Sequence, residues 1–463
     1  MKAKKNNRNE IEKMKIEHVN VIGGGLAGCE AAYQISKRGY KVKLYEMKPQ
    51  KYSPAHSNSD LAEIVCSNSF KSNLLTNACG LLKEELRNLD SLLIRIADET
   101  AVPAGQALAV DREEFAKKVT EKINIDPNIE VINEEVTKIP TDEITVIATG
   151  PLTSDGLFEE ISKLIGGNEL HFYDAAAPII EKNSINMDIA FFGDRYSQEK
   201  KKDESLEEWK VRTEKEEKNY INLPMSKEEY ESFWNELVNA QLVELHEFEK
   251  KEIFEGCMPI EVMAKRGIDT LRYGPLKPVG FDDPRTGRRP YALVQLRQDN
   301  KLGTLYNMVG FQTNLKFGEQ KRVFSMIPGL KDAEFIKYGV MHRNTFINST
   351  KILDATFQMK ENKNIFFAGQ ITGVEGYVES IASGLLAGIN VVKYINDEKK
   401  IVLPADTMLG ALADYISTPN EKFQPMNANF GILPSLDIKI KDKKERYKLF
   451  SERSIREINN TNI

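Results

Sequence analysis

The run Val19-Asn20-Val21-Ile22-Gly23-Gly24-Gly25-Leu26-Ala27-Gly28, with Glu46 further on, constrains this chain more than any other feature. It reads as a β-strand entering a glycine turn and then a helix over 27–37. Gly23 permits the tight turn, Gly25 lets the backbone approach phosphates, and Gly28 lets helix and strand pack closely. Gly24, Leu26 and Ala27 complete the turn, and the helix aims its free N–H groups and positive dipole end at an anion. Residues 41–45 read as a second strand, with Glu46 at its end to accept from a ribose hydroxyl. A lone G-x-G-x-x-G is weak evidence. Strand, helix, second strand and acid in this order make dinucleotide binding the expectation.

Two distant stretches decide which dinucleotide. Residues 143–148 have a buried-strand pattern closing on Ala148-Thr149-Gly150, and 364–368 have another, closing on Gly369-Gln370. The chain then runs through Gly376 and Tyr377 into a helix rich in small residues (381–389), expected to lie against flavin or sheet. Such a two-part pattern points to FAD rather than NAD, because no second glycine fingerprint supplies a nicotinamide domain. The fold class expected is α/β: a Rossmann-like FAD-binding domain of the glutathione-reductase type, interrupted by a mixed α+β insertion. The boundaries expected are a mobile extension (1–17), the first part of the FAD domain (18–152), the insertion (153–335), the second part (336–402), and a C-terminal appendage (403–463).

A chain of 463 residues is long enough for several cored domains. No run approaches the roughly eighteen apolar residues of a membrane span, and the first 17 residues lack the apolar stretch of a secretory signal. The four cysteines, Cys29, Cys66, Cys79 and Cys257, have neither metal-ligand spacing nor the density of a disulfide scaffold. Together these features point to the cytoplasm and to no resident metal. A net charge of −5 argues against indiscriminate nucleic-acid binding, so any RNA contact must be a local patch.

Cys66 falls in a loop beyond the second strand, near the sheet edge where open α/β folds bind ligands. Cys257, between Gly256 and Pro259, is expected on an exposed turn of the insertion. Lys265, Arg266 and Arg272 are near enough in sequence to help lower its pKa, which is what makes a thiol a nucleophile. Cys29 and Cys79 fit inert buried positions. Between 265 and 301 basic residues outnumber acidic ones, and Tyr273, Phe281 and Tyr291 are interleaved. Arg285, Arg288, Arg289 and Arg297 are the candidate RNA contacts, with the rings for unpaired bases. A solvated loop with incidental arginines fits the same residues. The highly charged segment 197–218 reads as a solvated helical arm or disordered loop.

Long, idiosyncratic strings including AEIVCSNSF, LTNACGLLKEEL, VPAGQALAVDRE, FEGCMPIEVMAKRG, LYNMVGFQTNLKFGEQKRVF and AGQITGVEGYVES resemble the TrmFO family, FAD- and folate-dependent tRNA (uracil-5-)-methyltransferases. The resemblance spans nearly everything from His18 to Glu457. It implies FAD reduced by NAD(P)H, a one-carbon unit from 5,10-methylenetetrahydrofolate, and delivery to C5 of T-loop uridine 54 in tRNA. It places the family's two functional cysteines on Cys66 and Cys257. Cys257 would add to uracil C6; Cys66 would handle the C5 proton or steady the flavin side. Tyr377 would lie against the flavin and folate. No obligatory protein partner is implied, and a monomer is expected.

Leu223 stands where relatives commonly have cysteine, and the charged arm and N-terminal tail are longer than usual. Both extensions bear on RNA choice, and a branch of the family methylates a 23S ribosomal RNA uridine instead. A larger tRNA wobble-uridine flavoprotein shares the architecture but needs a longer C-terminal helical domain. A non-catalytic RNA-binding flavoprotein is the alternative of another class.

Overall fold

The structure is a computed structural model that describes residues 16–461, apart from 168, 176, 198, 202, 215–217, 244–257, 301, 340, 422 and 439. At its centre is a five-stranded parallel sheet in the order Ile365–Phe367, Thr145–Ile147, Val19–Ile22, Val42–Glu46, Ile129–Asn133. One register row crosses it through Phe366, Val146, Val21, Leu44 and Val131. The first four of these are fully buried, the mark of a parallel sheet covered on both faces. The late strand therefore completes a sheet begun by the first 147 residues, as the two-part pattern requires.

Helix Leu26–Ser36 follows the first strand, and helix Tyr377–Ile395 packs along it. The small residues of the later helix serve this contact rather than the flavin or sheet contact expected. A Cβ on Gly384 would lie 2.2 Å from the Ala27 carbonyl oxygen, and one on Gly388 would lie 2.8 Å from that of Ala31. Tyr377–Ile395 is also the one described helix long and apolar enough to cross a membrane, yet 83% of its apolar window is buried inside the protein. Its apolarity is that of a core helix.

The insertion is built on a six-stranded sheet in the order Phe191–Phe192, Tyr220–Met225, Ala292–Gln298, Leu305–Met308, Ile179–Glu181, Phe335–Lys337. It has its own core, in which Leu223, Val294, Phe233 and Phe311 are fully buried. Leu223 is thus a packing residue. An antiparallel pair, Glu169–Ala175 with Met341–Ile347, joins the two halves where the chain leaves and returns.

The packing draws the boundaries differently from the sequence at two places. Helix Asp155–Leu164 contributes Leu157 and Ile161 to the first core, so the insertion begins after it. The stretch from 403 is no appendage either: Met408, Leu412, Phe450 and Ile458 are buried in that same core. Glu85 ties it in. Fully buried, its carboxylate accepts from the backbone N–H groups of Met408 (2.7 Å) and Leu409 (2.8 Å) at a helix N-terminus, and from the Ser454 hydroxyl.

Burial pushes the Glu85 carboxyl up to about 7 from 4.5. Its folded-state pKa lies above its unfolded one, so this contribution is fully present below pH 4.5. It is lost as pH rises toward 7, because the unfolded chain releases the proton first. The loss is on the order of 3 kcal/mol. Thermal denaturation between pH 5 and 7.5 should show wild-type stability falling, and Glu85→Gln should flatten that slope. An unchanged slope would mean that Glu85 does not titrate there.

The candidate dinucleotide site and the Cys66 seam

The glycine turn has the geometry that each glycine was expected to serve. Gly23 has φ +108°, and a Cβ on it would lie 2.6 Å from the Ala148 carbonyl oxygen. A Cβ on Gly28 would lie 1.8 Å from the Gly23 oxygen, which enforces helix–strand contact. A Cβ on Gly25 would meet nothing within 4 Å, and the helix beginning there has no side-chain cap. Its first N–H groups therefore face an open pocket of about 1090 Å³ at the carboxyl ends of the strands.

Gly23, Gly24, Gly25, Leu26 and Ala27 line this pocket with Glu46 from the second strand. Thr149 and Gly150 line it after the strand Thr145–Ile147, and Gly369, Gln370 and Tyr377 from the returning segment. Gly28 and Gly376 do not: the first serves packing, and the second, at φ +123°, starts the long helix beside Glu379. Glu46 is oriented by the backbone N–H groups of Gly24 (3.1 Å) and Lys48 (3.0 Å). Such an acceptor at the tip of the second strand suits a ribose hydroxyl. The residues present fit an FAD-type dinucleotide.

Cys66 sits at the seam between this pocket and the insertion. The loop carrying it contains the strand Ser69–Ser72 and is braced from three sides. The Cys66 N–H donates to the Tyr377 hydroxyl (2.8 Å), so the thiol-bearing residue and the pocket share a hydrogen bond. Arg112 donates to the carbonyls of Ile64 (2.9 Å) and Cys66 (2.8 Å) while paired with Asp299 (2.9 Å). From the insertion, Arg297 donates to Asn68 Oδ1 (3.1 Å) and to the Ser67 hydroxyl. Arg112, Arg297 and Lys337 all lie within electrostatic reach of Cys66. Thiols that act chemically sit in such electropositive, partly exposed settings, and Cys66 is half-buried.

The other cysteines separate cleanly. Cys29 and Cys79 are buried; burial pushes both thiols up, Cys79 to about 12 with Glu379 adding to the effect. Cys257 lies outside the described residues.

The basic loop needs two corrections. Arg297 is only 8% exposed, on a central strand beside Cys66, so it belongs to the seam and not to the exposed basic surface of the loop. Phe281 is fully buried under Arg195 and Tyr291 is half-buried with the Arg272 guanidinium over its ring, which leaves Tyr273, 81% exposed, as the loop's presented ring. Arg285, Arg288 and Arg289 are exposed. Arg285 pairs with Asp283 (2.7 Å) and Arg289 with Glu199 of the charged arm. That arm is anchored rather than wholly solvated: helix Leu206–Glu214 buries Trp209, and Leu206 packs against Gly287 of the loop. Sequence reasoning missed Arg112 as a brace of the Cys66 loop; it falls inside one of the family-like strings, which was the one signal for it.

The split parallel sheet, glycine turn, acid-tipped second strand and returning helix define an FAD-type dinucleotide-binding fold with an inserted domain. A model of the family described as Glucose inhibited division protein A matches residues 18–399. A curated relative from Acetivibrio thermocellus, methylenetetrahydrofolate–tRNA-(uracil-5-)-methyltransferase TrmFO, is 58% identical over 432 residues, 93% of this chain and 95% of its own. Its namesake from Halalkalibacterium halodurans is 57% identical over 448 residues, covering 96% and 99%. The crystal structure of Aquifex aeolicus GidA shares the fold, with a TM-score of 0.64 and 17% identity over 95% of this chain and 73% of that one. The chain belongs to the Glucose inhibited division protein A family and, within it, to the TrmFO family.

Proposed function

We propose that this protein methylates C5 of uridine in structured RNA. It would use FAD, 5,10-methylenetetrahydrofolate as carbon donor and NAD(P)H as reductant, with T-loop uridine 54 of tRNA as target. The observation that carries this reading is the hydrogen bond joining Cys66 to Tyr377, which sets a thiol-bearing loop directly against the dinucleotide pocket. The names of relatives that match almost end to end support it.

Bound in the pocket, FAD would supply the redox chemistry that turns a one-carbon unit into a methyl group. The chain's own residues do the rest. The amides following Gly25 would hold the pyrophosphate and Glu46 a ribose hydroxyl. Uracil C5 is a poor nucleophile until a thiolate adds to C6, which pushes the C5=C6 electron pair toward C5 and the C4 oxygen. We assign that addition to Cys257. After C5 has bonded to the incoming carbon, its proton must leave so that the pair returns and expels the thiolate. Cys66 is assigned to that proton. The division of labour we propose gives the flavin to the parallel-sheet domain and the RNA to the insertion, acting as a monomer in the cytoplasm.

Exposed Arg288 and Arg289 are the proposed phosphate partners. Changing both to Ala should weaken RNA binding and lower its salt slope by about one unit for each phosphate no longer neutralised. Filter binding across a salt series reads both quantities, and a wild-type slope would make the loop an ordinary solvated surface.

The direct test is nucleoside mass spectrometry of tRNA and 23S rRNA incubated with the protein, labelled methylenetetrahydrofolate and NADPH. Labelled 5-methyluridine in the T-loop is expected. Label confined to rRNA would redirect the target, and no label in either RNA would overturn the reading.

A further inference from the structure

A second cavity, about 340 Å³ and separate from the dinucleotide pocket, opens where the Cys66 loop meets the insertion sheet. Cys66, Ser67, Arg297, Asn307 and Gln312 form its polar lining, with Ala177 and Val309 as apolar walls. Arg297 and Asn307 are directly opposed across neighbouring strands. Asn307 is only 3% exposed, yet its Nδ2 has no hydrogen-bond partner among the described residues. A buried amide left unpaired is costly and rare unless a ligand completes it.

We propose that this cavity seats the target uracil, with the Asn307 carboxamide reading the O4 and N3–H edge. The inference rests on the proposed function and deepens it. Uracil presents two carbonyl acceptors around one N–H donor. The cavity answers with guanidinium, amide and hydroxyl donors and with amide oxygens. Among the described residues no carboxylate lines it, and a pterin would call for one to accept from its 2-amino group together with its N3–H. Arg297 already serves Asn68 and Ser67, so the cavity is furnished for a neutral heterocycle rather than for a free phosphate. A base paired to Asn307 through O4 and N3–H keeps its C5, the atom next to C4, in the same small cavity as Cys66. Cytosine carries an N4 amine where uracil carries O4, so it would set donor against donor.

Two variants test this with T-loop RNA hairpins carrying uridine or cytidine at the target position. Asn307→Leu keeps the size and removes the donor; Asn307→Asp keeps the shape and offers only acceptors. Both should lower kcat/KM for the uridine RNA by about a hundredfold, the scale of a two-point hydrogen-bonded pairing to a base. The KM for methylenetetrahydrofolate should stay near wild type. In competition binding the wild type should prefer the uridine hairpin, and both Asn307→Leu and Asn307→Asp should lose that preference, since a carboxylate matches one group and opposes its neighbour on either base. The thermal midpoint of Asn307→Leu should match or exceed that of wild type, since no protein hydrogen bond to Nδ2 is removed. Unchanged kcat/KM and preference would overturn the inference. So would an effect confined to the folate KM, which would put the pterin in the cavity. If the wild type methylates no uridine, the functional reading falls, while the hairpin preference still decides the cavity.

Discussion

Gly25→Val is expected to fold normally and to purify without the yellow of bound flavin. Gly25 has φ −79°, an ordinary backbone conformation for valine, and a Cβ there meets nothing within 4 Å. The new side chain therefore costs the fold little. It projects from the one position where backbone and pyrophosphate must touch, and it displaces the anion from the helix amides. Loss of two or more charge-assisted hydrogen bonds, about 3 kcal/mol, corresponds to at least a hundredfold weaker binding. Gly28→Val should behave oppositely, failing to fold at all, because its Cβ would lie 1.8 Å from the Gly23 oxygen. Flavin absorbance and thermal melts of the two proteins separate the roles. Full flavin retention by Gly25→Val would remove the pyrophosphate from this turn.

The second large effect falls on the thiols. Cys66→Ala should keep the fold, because Tyr377 and Arg112 grip the backbone of that residue and not its sulfur. Methylation should fall by about 10²- to 10⁴-fold, the range for losing a positioned acid–base group. Cys257→Ala should abolish methylation altogether, since nothing else activates C5. Methyl incorporation into RNA, followed alongside flavin content, distinguishes these effects from unfolding. Wild-type rates in either variant would remove that cysteine from the chemistry.

What the sequence made legible was local. Strand, glycine turn, helix, second strand and Glu46 are contiguous, so spacing alone fixed their order, and the return strand announced itself by an apolar run closing on glycine. The braces of the seam were not legible, because they join residues far apart. Cys66 meets Tyr377 across 311 positions and Arg112 across 46, and Arg297 meets Asn68 across 229. Arg297 was misread because counting arginines in a basic stretch ignores strand burial; its neighbours Leu296 and Gln298 belong to a central strand. The charged arm hid its anchor in a single Trp209 among acids and lysines. The last helix looked like an appendage because only Phe450, Ser451, Ser454 and Ile458 are buried on it, and one of its ties is to the buried carboxylate of Glu85.

The central claim is that a cysteine of this chain activates uracil by covalent addition, and a trapping experiment tests it most directly. A T-loop RNA with 5-fluorouridine at the target position cannot lose its C5 substituent as a proton, so the thioether to C6 persists. Incubated with the protein, methylenetetrahydrofolate and NADPH, it should give a protein–RNA adduct whose peptide maps to Cys257, and Cys257→Ala should give none. An adduct through Cys66 would reverse the two thiols, and methylation of ordinary uridine by Cys257→Ala with no adduct in either protein would contradict the account.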